Sequence, residues 1–205
     1  MKCLVLFFLL PVFFFGQEKD DWTIFMKTAM NDIQAKDYKT AIINLDKSLE
    51  VYPKNPSALY FKGYLQIIEG ENEAGCKSLA DAIYYNSNNA KTLFPEKCME
   101  YNPKLNPENF KTGKFTLRIL DDSMVYNFER KNDVQIETFE GKEYYGAVQW
   151  IGDGDYTIIP TGKTKEEMKG NPQFIIRMLK IEDNSYLYEK IEDAQIQYGI
   201  ITKVE

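Results

Sequence analysis

Histidine is absent from the 205 residues of this sequence, and that absence excludes several classes of chemistry. Without histidine the Ser-His-Asp and Cys-His catalytic devices cannot form, and most zinc sites lose a usual ligand. Basic residues are also too few for a nucleic-acid surface, since 25 lysines and arginines stand against 31 acidic residues and the formal net charge is −6. We therefore expect no nucleic-acid partner.

Carboxylate chemistry is the remaining route to catalysis, and the sequence gives it little support. Adjacent acidic residues such as Glu166 and Glu167 point in different directions and do not form an acid–base pair. The GDGD motif at 152–155 lacks the spacing of a calcium loop, so we interpret it as a hairpin turn. We expect a non-enzymatic protein without a cofactor or a metal, with a carboxylate-based hydrolase as the enzymatic alternative.

Residues 1–16 have the pattern of a secretory signal peptide. Lys2 precedes an uncharged apolar segment at 3–15, and a polar segment begins at Gln17. The apolar segment is shorter than the roughly 20 residues of a membrane span, although a buried core helix or an uncleaved anchor would share its pattern. We predict a periplasmic or secreted protein with no stable membrane span after signal removal.

The sequence resembles itself at an offset of 34 residues over its first half. The offset aligns apolar or small residues with each other: Phe25 with Leu59, Met26 with Tyr60, Ala29 with Gly63, Met30 with Tyr64 and Ile33 with Ile67. Thirty-four residues is the period of the tetratricopeptide repeat, and the segment at 37–49 resembles the second helix of that repeat. Residues 22–89 therefore resemble the tetratricopeptide repeat family. The resemblance implies stacked helical hairpins. We assign 22–101 to a helical domain with a capping helix over 89–101, in which Pro95 marks a kink or a helix start.

The same resemblance implies a binding groove on the concave face, lined by the first helix of each repeat. Its positions in this chain are Met26, Met30, Ile33, Tyr60, Tyr64 and Ile67. Such an apolar and aromatic groove suits a peptide anchor, so we expect a protein or peptide partner in the cell envelope or outside the cell. The alternative is that these side chains pack against the second domain.

Cys76 and Cys98 remain in the chain after removal of the signal peptide. Each lies 11 residues from Ser87, which belongs to a turn motif, so the two cysteines face each other if the flanking helices are antiparallel. We predict a disulfide between them, and the tetratricopeptide resemblance points the same way because secreted bacterial repeat proteins show a similar pair. Two buried free thiols are the alternative.

Pro103 and Pro107 interrupt the helical pattern, and we assign 102–110 to a linker. Beyond the linker the apolar period changes from about 3.6 to 2, which is the period of β-strands. Eight alternating runs over 111–205 are separated by short turn motifs and by one long connection at 161–172, and this predicts antiparallel hairpins in sequence order. The predicted fold class is α+β with two domains: tetratricopeptide-like helical hairpins followed by an antiparallel, barrel-like sheet of about eight strands.

The β half, through segments such as 110–115, 128–130 and 148–151, resembles a small secreted bacterial β domain of unknown function. In outline it is also similar to lipocalin-like barrels. If strand alternation turns Arg130 inward, its charge needs a partner, and a ligand carboxylate or a strand glutamate would supply one. Arg130 and Trp150 are therefore the possible ligand site. We predict an interaction scaffold that uses its helical array, with a carrier of an apolar or acidic ligand as the alternative.

Overall fold

The computed structural model describes residues 21–122, 124–167, 174–192 and 195–205. The predicted signal peptide at 1–16 lies outside this part of the chain. No helix within it is both long enough and apolar enough to cross a membrane. The described chain begins with helices and ends with strands, in the order that the sequence predicts.

Five helices form the first half, and consecutive helices pack against each other. They are α1 (Trp22–Gln34), α2 (Tyr38–Val51), α3 (Pro56–Ile68), α4 (Asn72–Tyr84) and α5 (Asn88–Lys97). The side chains of Asp21, Asp37, Asn55 and Ser87 cap four of these helices by accepting hydrogen bonds from backbone N–H groups of the first turn. The first residues of α1 and α3 are 34 positions apart, as are those of α2 and α4, which is the offset of the sequence repeat.

Two glycines allow α3 and α4 to approach each other closely. A Cβ atom placed on Gly63 would lie 2.8 Å from the backbone oxygen of Gly75, and a Cβ atom placed on Gly75 would lie equally close to the oxygen of Gly63. Any larger side chain at either position would therefore push the two backbones apart. In α5 the helix continues through Pro95, so this helix begins at Asn88 and not near the proline.

Eight strands follow the helices. They are β1 (Gly113–Ile119), β2 (Val125–Lys131), β3 (Val134–Phe139), β4 (Lys142–Trp150), β5 (Asp155–Pro160), β6 (Ile175–Glu182), β7 (Ser185–Glu192) and β8 (Gln195–Lys203). Each strand pairs with the next in antiparallel orientation and β8 pairs with β1, so the sheet closes into a barrel. A short helix, α6 (Gly162–Glu167), lies between β5 and β6. The predicted α+β class and the eight antiparallel strands are confirmed.

The two ends of the barrel differ. At one end, which we call the closed end, lie the connections β2–β3, β4–β5 and β6–β7 together with the short 3₁₀ helix Glu108–Phe110. The ring of Phe110 is buried there against Tyr186, with the ring centroids 4.8 Å apart. The segment predicted to be a linker therefore also closes the barrel. The connections β1–β2, β3–β4, β5–β6 and β7–β8 lie at the opposite end, which we call the open end.

The helices and the barrel share a hydrophobic core. Barrel residues on the outer surface join residues of α3, α4 and α5 in one cluster; these barrel residues are Leu120, Leu179, Leu187, Tyr198 and Ile200. The ring of Tyr198 lies edge-on to that of Phe94 in α5, with the centroids 6.4 Å apart. Since apolar burial is the main stabilising contribution in folding, the two parts stabilise each other through this contact.

Polar groups border the same contact between the helices and the barrel. Lys180 Nζ of β6 lies 2.5 Å from the carboxylate of Asp81 in α4, and the Tyr85 hydroxyl donates a hydrogen bond of 2.6 Å to Glu182. Partial burial acts to raise the pKa of Glu182, but hydrogen bonds from Tyr85 and Lys180 outweigh it and hold the pKa below its ordinary value. Glu182 is therefore ionised near neutral pH and supports the contact.

A disulfide joins Cys76 of α4 to Cys98, the residue that follows α5. Both side chains are buried in the core that the helices share with the barrel. The predicted pairing is confirmed, and the alternative of two free thiols is wrong. The bond fixes α5 against α4, and so it also fixes the position of Phe94 against the barrel.

Candidate functional site: the barrel interior

Arg130 lies inside the barrel near the closed end, with 1% of its surface exposed. Its guanidinium donates hydrogen bonds to four oxygens of the chain. The acceptors are Gln135 Oε1 at 2.9 Å, the backbone oxygen of Phe110 at 3.0 Å, the Tyr156 hydroxyl at 2.7 Å and the Tyr186 hydroxyl at 3.3 Å. Strand alternation thus turns Arg130 inward, but its hydrogen-bond partners are neutral groups and not a strand glutamate.

Aromatic rings surround the same guanidinium. Its central carbon lies 4.6 Å from the ring centroid of Tyr156, and the rings of Phe115, Phe128 and Trp150 lie within 5.8 Å. Burial acts to lower the pKa of Arg130, but the oxygens of Tyr156 and Tyr186 outweigh it, so the pKa lies above its ordinary value. Burial also raises the pKa of Tyr186. The closed end therefore holds a charged guanidinium among tyrosine hydroxyls, stabilised by hydrogen bonds and cation–π contacts.

Trp150 also lies near the closed end, where its ring centroid is 4.7 Å from that of Tyr156. The structure therefore brings together the two residues of the predicted ligand site. Neither of them lines the cavity of the barrel, which begins on the other side of Tyr156. Binding of a ligand carboxylate by Arg130 stays a prediction.

A cavity of about 310 Å³ occupies the half of the barrel next to the open end. Its wall is mainly apolar and aromatic, formed by inward residues such as Leu117, Phe128, Ile158, Phe174, Ile176 and Ile201. Exposed residues near the ends of strands, including Glu137 and Tyr145, belong to the same wall, so the cavity opens to solvent. Its volume is at the lower end of the range for small-molecule sites in proteins.

A line of polar side chains runs from the closed end towards the mouth of the cavity. Arg130 Nε donates to Gln135 Oε1, and Gln135 Nε2 donates a hydrogen bond of 2.7 Å to Glu137 Oε1. On the other side of the cavity Tyr188 is buried, and its burial raises the pKa of the phenol. The cavity thus offers the carboxyl group of Glu137 and the hydroxyl of Tyr188 within a mainly apolar wall.

Glycine at position 199 makes room for one of these polar side chains. A Cβ atom placed on Gly199 would lie 2.5 Å from the Tyr188 hydroxyl oxygen and equally close to its ring. Tyr188 and Gly199 are paired across β7 and β8, so the ring lies over the glycine. Without a side chain at 199, Tyr188 lies flat against the wall and leaves the centre of the barrel open.

Exposed apolar side chains are concentrated around the open end. Of the described barrel residues, the exposed large apolar ones at this end are Met124, Val125, Phe139, Tyr145, Ile175 and Ile196. Ile151 and Val204 are the corresponding residues near the closed end. An apolar rim of this kind favours the approach of apolar molecules to the cavity.

No family model matches this chain, and no curated protein or solved structure matches it either. The resemblances to the tetratricopeptide repeat family and to a secreted β domain therefore stay predictions. Among the residues that the structure describes, no group of three or more His, Cys, Asp or Glu side chains could hold a metal ion.

The six predicted groove residues do not share one environment. Met26, Met30 and Ile33 of α1 pack against the buried cluster of the first helices, and Tyr60 and Ile67 of α3 border the cluster that includes barrel residues. Tyr64 is 38% exposed, and its ring stacks on that of Tyr60 with centroids 6.3 Å apart. Peptide binding at these positions stays a prediction.

Three polar residues of the cavity wall were not predicted: Gln135, Glu137 and Tyr188. The apolar residues of β3, Val134 and Ile136, suggest that their side of the strand faces the core, but Gln135 and Glu137 face the interior because Gln135 pairs with Arg130. One signal was present, since Arg130 and Gln135 lie symmetrically about the turn at 132–133 and must face the same side if the hairpin is tight.

Proposed function

We propose that this protein binds a small, mainly apolar ligand in the cavity of its β-barrel and acts as a carrier. The observation that supports the proposal is the cavity itself, which is open at one end, has about 310 Å³ of space and is bounded mainly by apolar side chains. Apolar ligands gain free energy in such a site because their surface leaves water. The buried hydrogen bonds of Arg130 at the closed end support the shape of the barrel around it.

We also propose that the carrier works in the periplasm or outside the cell. Disulfides persist in oxidising compartments, and the buried Cys76–Cys98 bond supports this location. The apolar segment at 3–15 would direct export.

The proposal can be tested by filling the cavity. Replacing Ile158, which lines it, by tryptophan (Ile158→Trp) should lower the affinity for octanol at least about tenfold, because the larger ring takes the space of the ligand. Isothermal titration calorimetry on the folded protein measures this. The matched control is Ile159→Trp, since the side chain of the next residue on β5 points outward. Wild-type protein that takes up no octanol, or an Ile158→Trp variant with unchanged affinity, would contradict the proposal.

A second function rests on a different observation. The stacked pair of Tyr60 and Tyr64 presents an exposed ring on α3, whereas the barrel packs mainly on α4. We propose that this face of the helices binds a protein or peptide partner in the cell envelope or outside the cell. In that case the same helical array would serve as an interaction scaffold.

Partner capture tests this second function. A partner recovered from envelope extract by the wild-type protein should be lost with Tyr64→Ala, because aromatic side chains contribute a large share of interface binding energy. It should be retained with Ile43→Ala, a change at an exposed apolar residue on α2. Equal recovery of the partner with the two variants would contradict binding at the helical face that contains Tyr64.

A further inference from the structure

We propose that the ligand of the barrel cavity is an apolar molecule with a terminal amine, which the carboxylate of Glu137 binds at the mouth. This inference rests on the proposed function of the cavity and adds the chemical class of the ligand. Two observations support it: the charged side chains in the cavity wall, and the hydrogen bond that positions Glu137.

Two charged side chains belong to the described wall of the cavity, Glu137 and Lys190. Lys190 Nζ lies 2.6 Å from the carboxylate of Glu192 and 4.6 Å from the ring centroid of Phe174, so its charge is already compensated and its position is fixed. Among the described residues no basic side chain forms a salt bridge with Glu137, whose partner is the neutral amide of Gln135. The uncompensated charge at the mouth is therefore negative.

Hydrogen bonds determine how the Glu137 carboxylate is presented. A guanidinium only donates hydrogen bonds, so Arg130 fixes the carbonyl oxygen of Gln135 towards itself. The amide nitrogen of Gln135 must then face the mouth, where it donates to Glu137 Oε1. Arg130 is thus a positioning residue that acts through Gln135. One carboxylate oxygen of Glu137 is engaged by this neutral donor, and the other remains for a ligand that donates hydrogen bonds.

The surroundings of the mouth favour a cation further. Three acidic residues line a neighbouring surface depression that shares Lys190 and Gln197 with the cavity. Asp121 forms a salt bridge with Lys91, and Glu192 forms one with Lys190, whereas no salt bridge to Asp122 is formed within the described part of the chain. The carboxylate of Asp122 therefore repels a ligand carboxylate and attracts an ammonium group. The sequence suggested an acidic ligand because of Arg130. Its guanidinium already donates hydrogen bonds to four oxygens of the chain, so it does not need a ligand carboxylate as a partner.

Three probes with the same alkyl chain separate the head-group preference from apolar binding. Calorimetric titrations with octylamine, octanol and octanoate at low ionic strength should give the highest affinity for the amine and the lowest for the carboxylate. We expect about a tenfold difference between these two, because a charge-assisted hydrogen bond is gained in one case and repulsion in the other. Glu137→Gln should remove most of this difference.

The control variant is Glu129→Gln, which changes the net charge equally but lies on β2 between the inward residues Phe128 and Arg130 and so points outward. It should keep the preference for the amine. Octanol binding with equal affinities for amine and carboxylate, or a preference that survives in Glu137→Gln, would overturn the proposal and leave the cavity function standing. Absence of octanol binding to the wild-type protein would overturn the cavity function itself, and the amine proposal with it.

Discussion

Replacing Arg130 by methionine should lower the free energy of unfolding by about 3–5 kcal/mol, since several buried polar groups lose a charged donor at once. The Tyr156 and Tyr186 hydroxyls, the amide of Gln135 and the backbone oxygen of Phe110 are all buried at the closed end. Methionine fills part of the space but donates no hydrogen bond. Urea unfolding followed by fluorescence measures the effect, because Trp150 lies beside the guanidinium.

The matched control for this prediction is Arg118→Met. Arg118 lies on the adjacent strand β1 and is exposed, so its loss should change the stability by no more than about 0.5 kcal/mol. Equal free energies of unfolding for the two variants would show that the guanidinium of Arg130 does not stabilise the closed end. Arg130→Lys should be intermediate, because lysine keeps the charge but lacks the five donors of arginine in their fixed geometry.

Removing the disulfide should lower the free energy of unfolding by nearly as much as the loss of Arg130. The bond joins residues separated by 22 positions, and a loop of that length corresponds to about 3 kcal/mol of stabilisation through the reduced freedom of the unfolded chain. The double variant Cys76→Ala/Cys98→Ala should lose this amount in urea unfolding without reductant. Hydrogen exchange should rise first in α5, since Cys98 follows directly after its last turn.

A reductant provides the control for the disulfide. Reduced wild-type protein should unfold at a urea concentration close to that of the double variant, and the variant itself should not respond to reductant. If the oxidised protein and the double variant unfold at the same concentration, the bond contributes nothing to stability. If hydrogen exchange became faster evenly over all helices and not mainly in α5, the conclusion that the disulfide fixes α5 against α4 would be contradicted.

The eight strands and the cysteine pair were predictable because they depend on local patterns. Alternation of apolar residues and short turn motifs persist from Phe115 to Val204, and each hairpin forms between neighbours in sequence. Cys76 and Cys98 could be paired since both lie at equal distance from the turn at Ser87.

The candidate site was only partly predictable. Arg130 and Trp150 stood out as unusual residues within strands, and the structure places them together, but their neighbours come from distant segments. The hydroxyl groups that bind Arg130 belong to Tyr156 and Tyr186, on strands β5 and β7. No local pattern in β2 indicates them. The proposed role of Glu137 was not predicted because its position depends on Gln135, whose own orientation is set by Arg130.

The sequence by itself determined that helices precede eight strands, that the cysteines meet, and that the chain lacks the histidine on which much catalysis depends. Only the tertiary structure decided that β8 closes the barrel against β1, that a cavity remains inside, and that the helices share a core with the outer wall. The physical reason is the range of the interactions. Periodicity and capping act over a few residues, whereas barrel closure, cavity volume and a buried charge depend on side chains that folding brings together from distant parts of the chain.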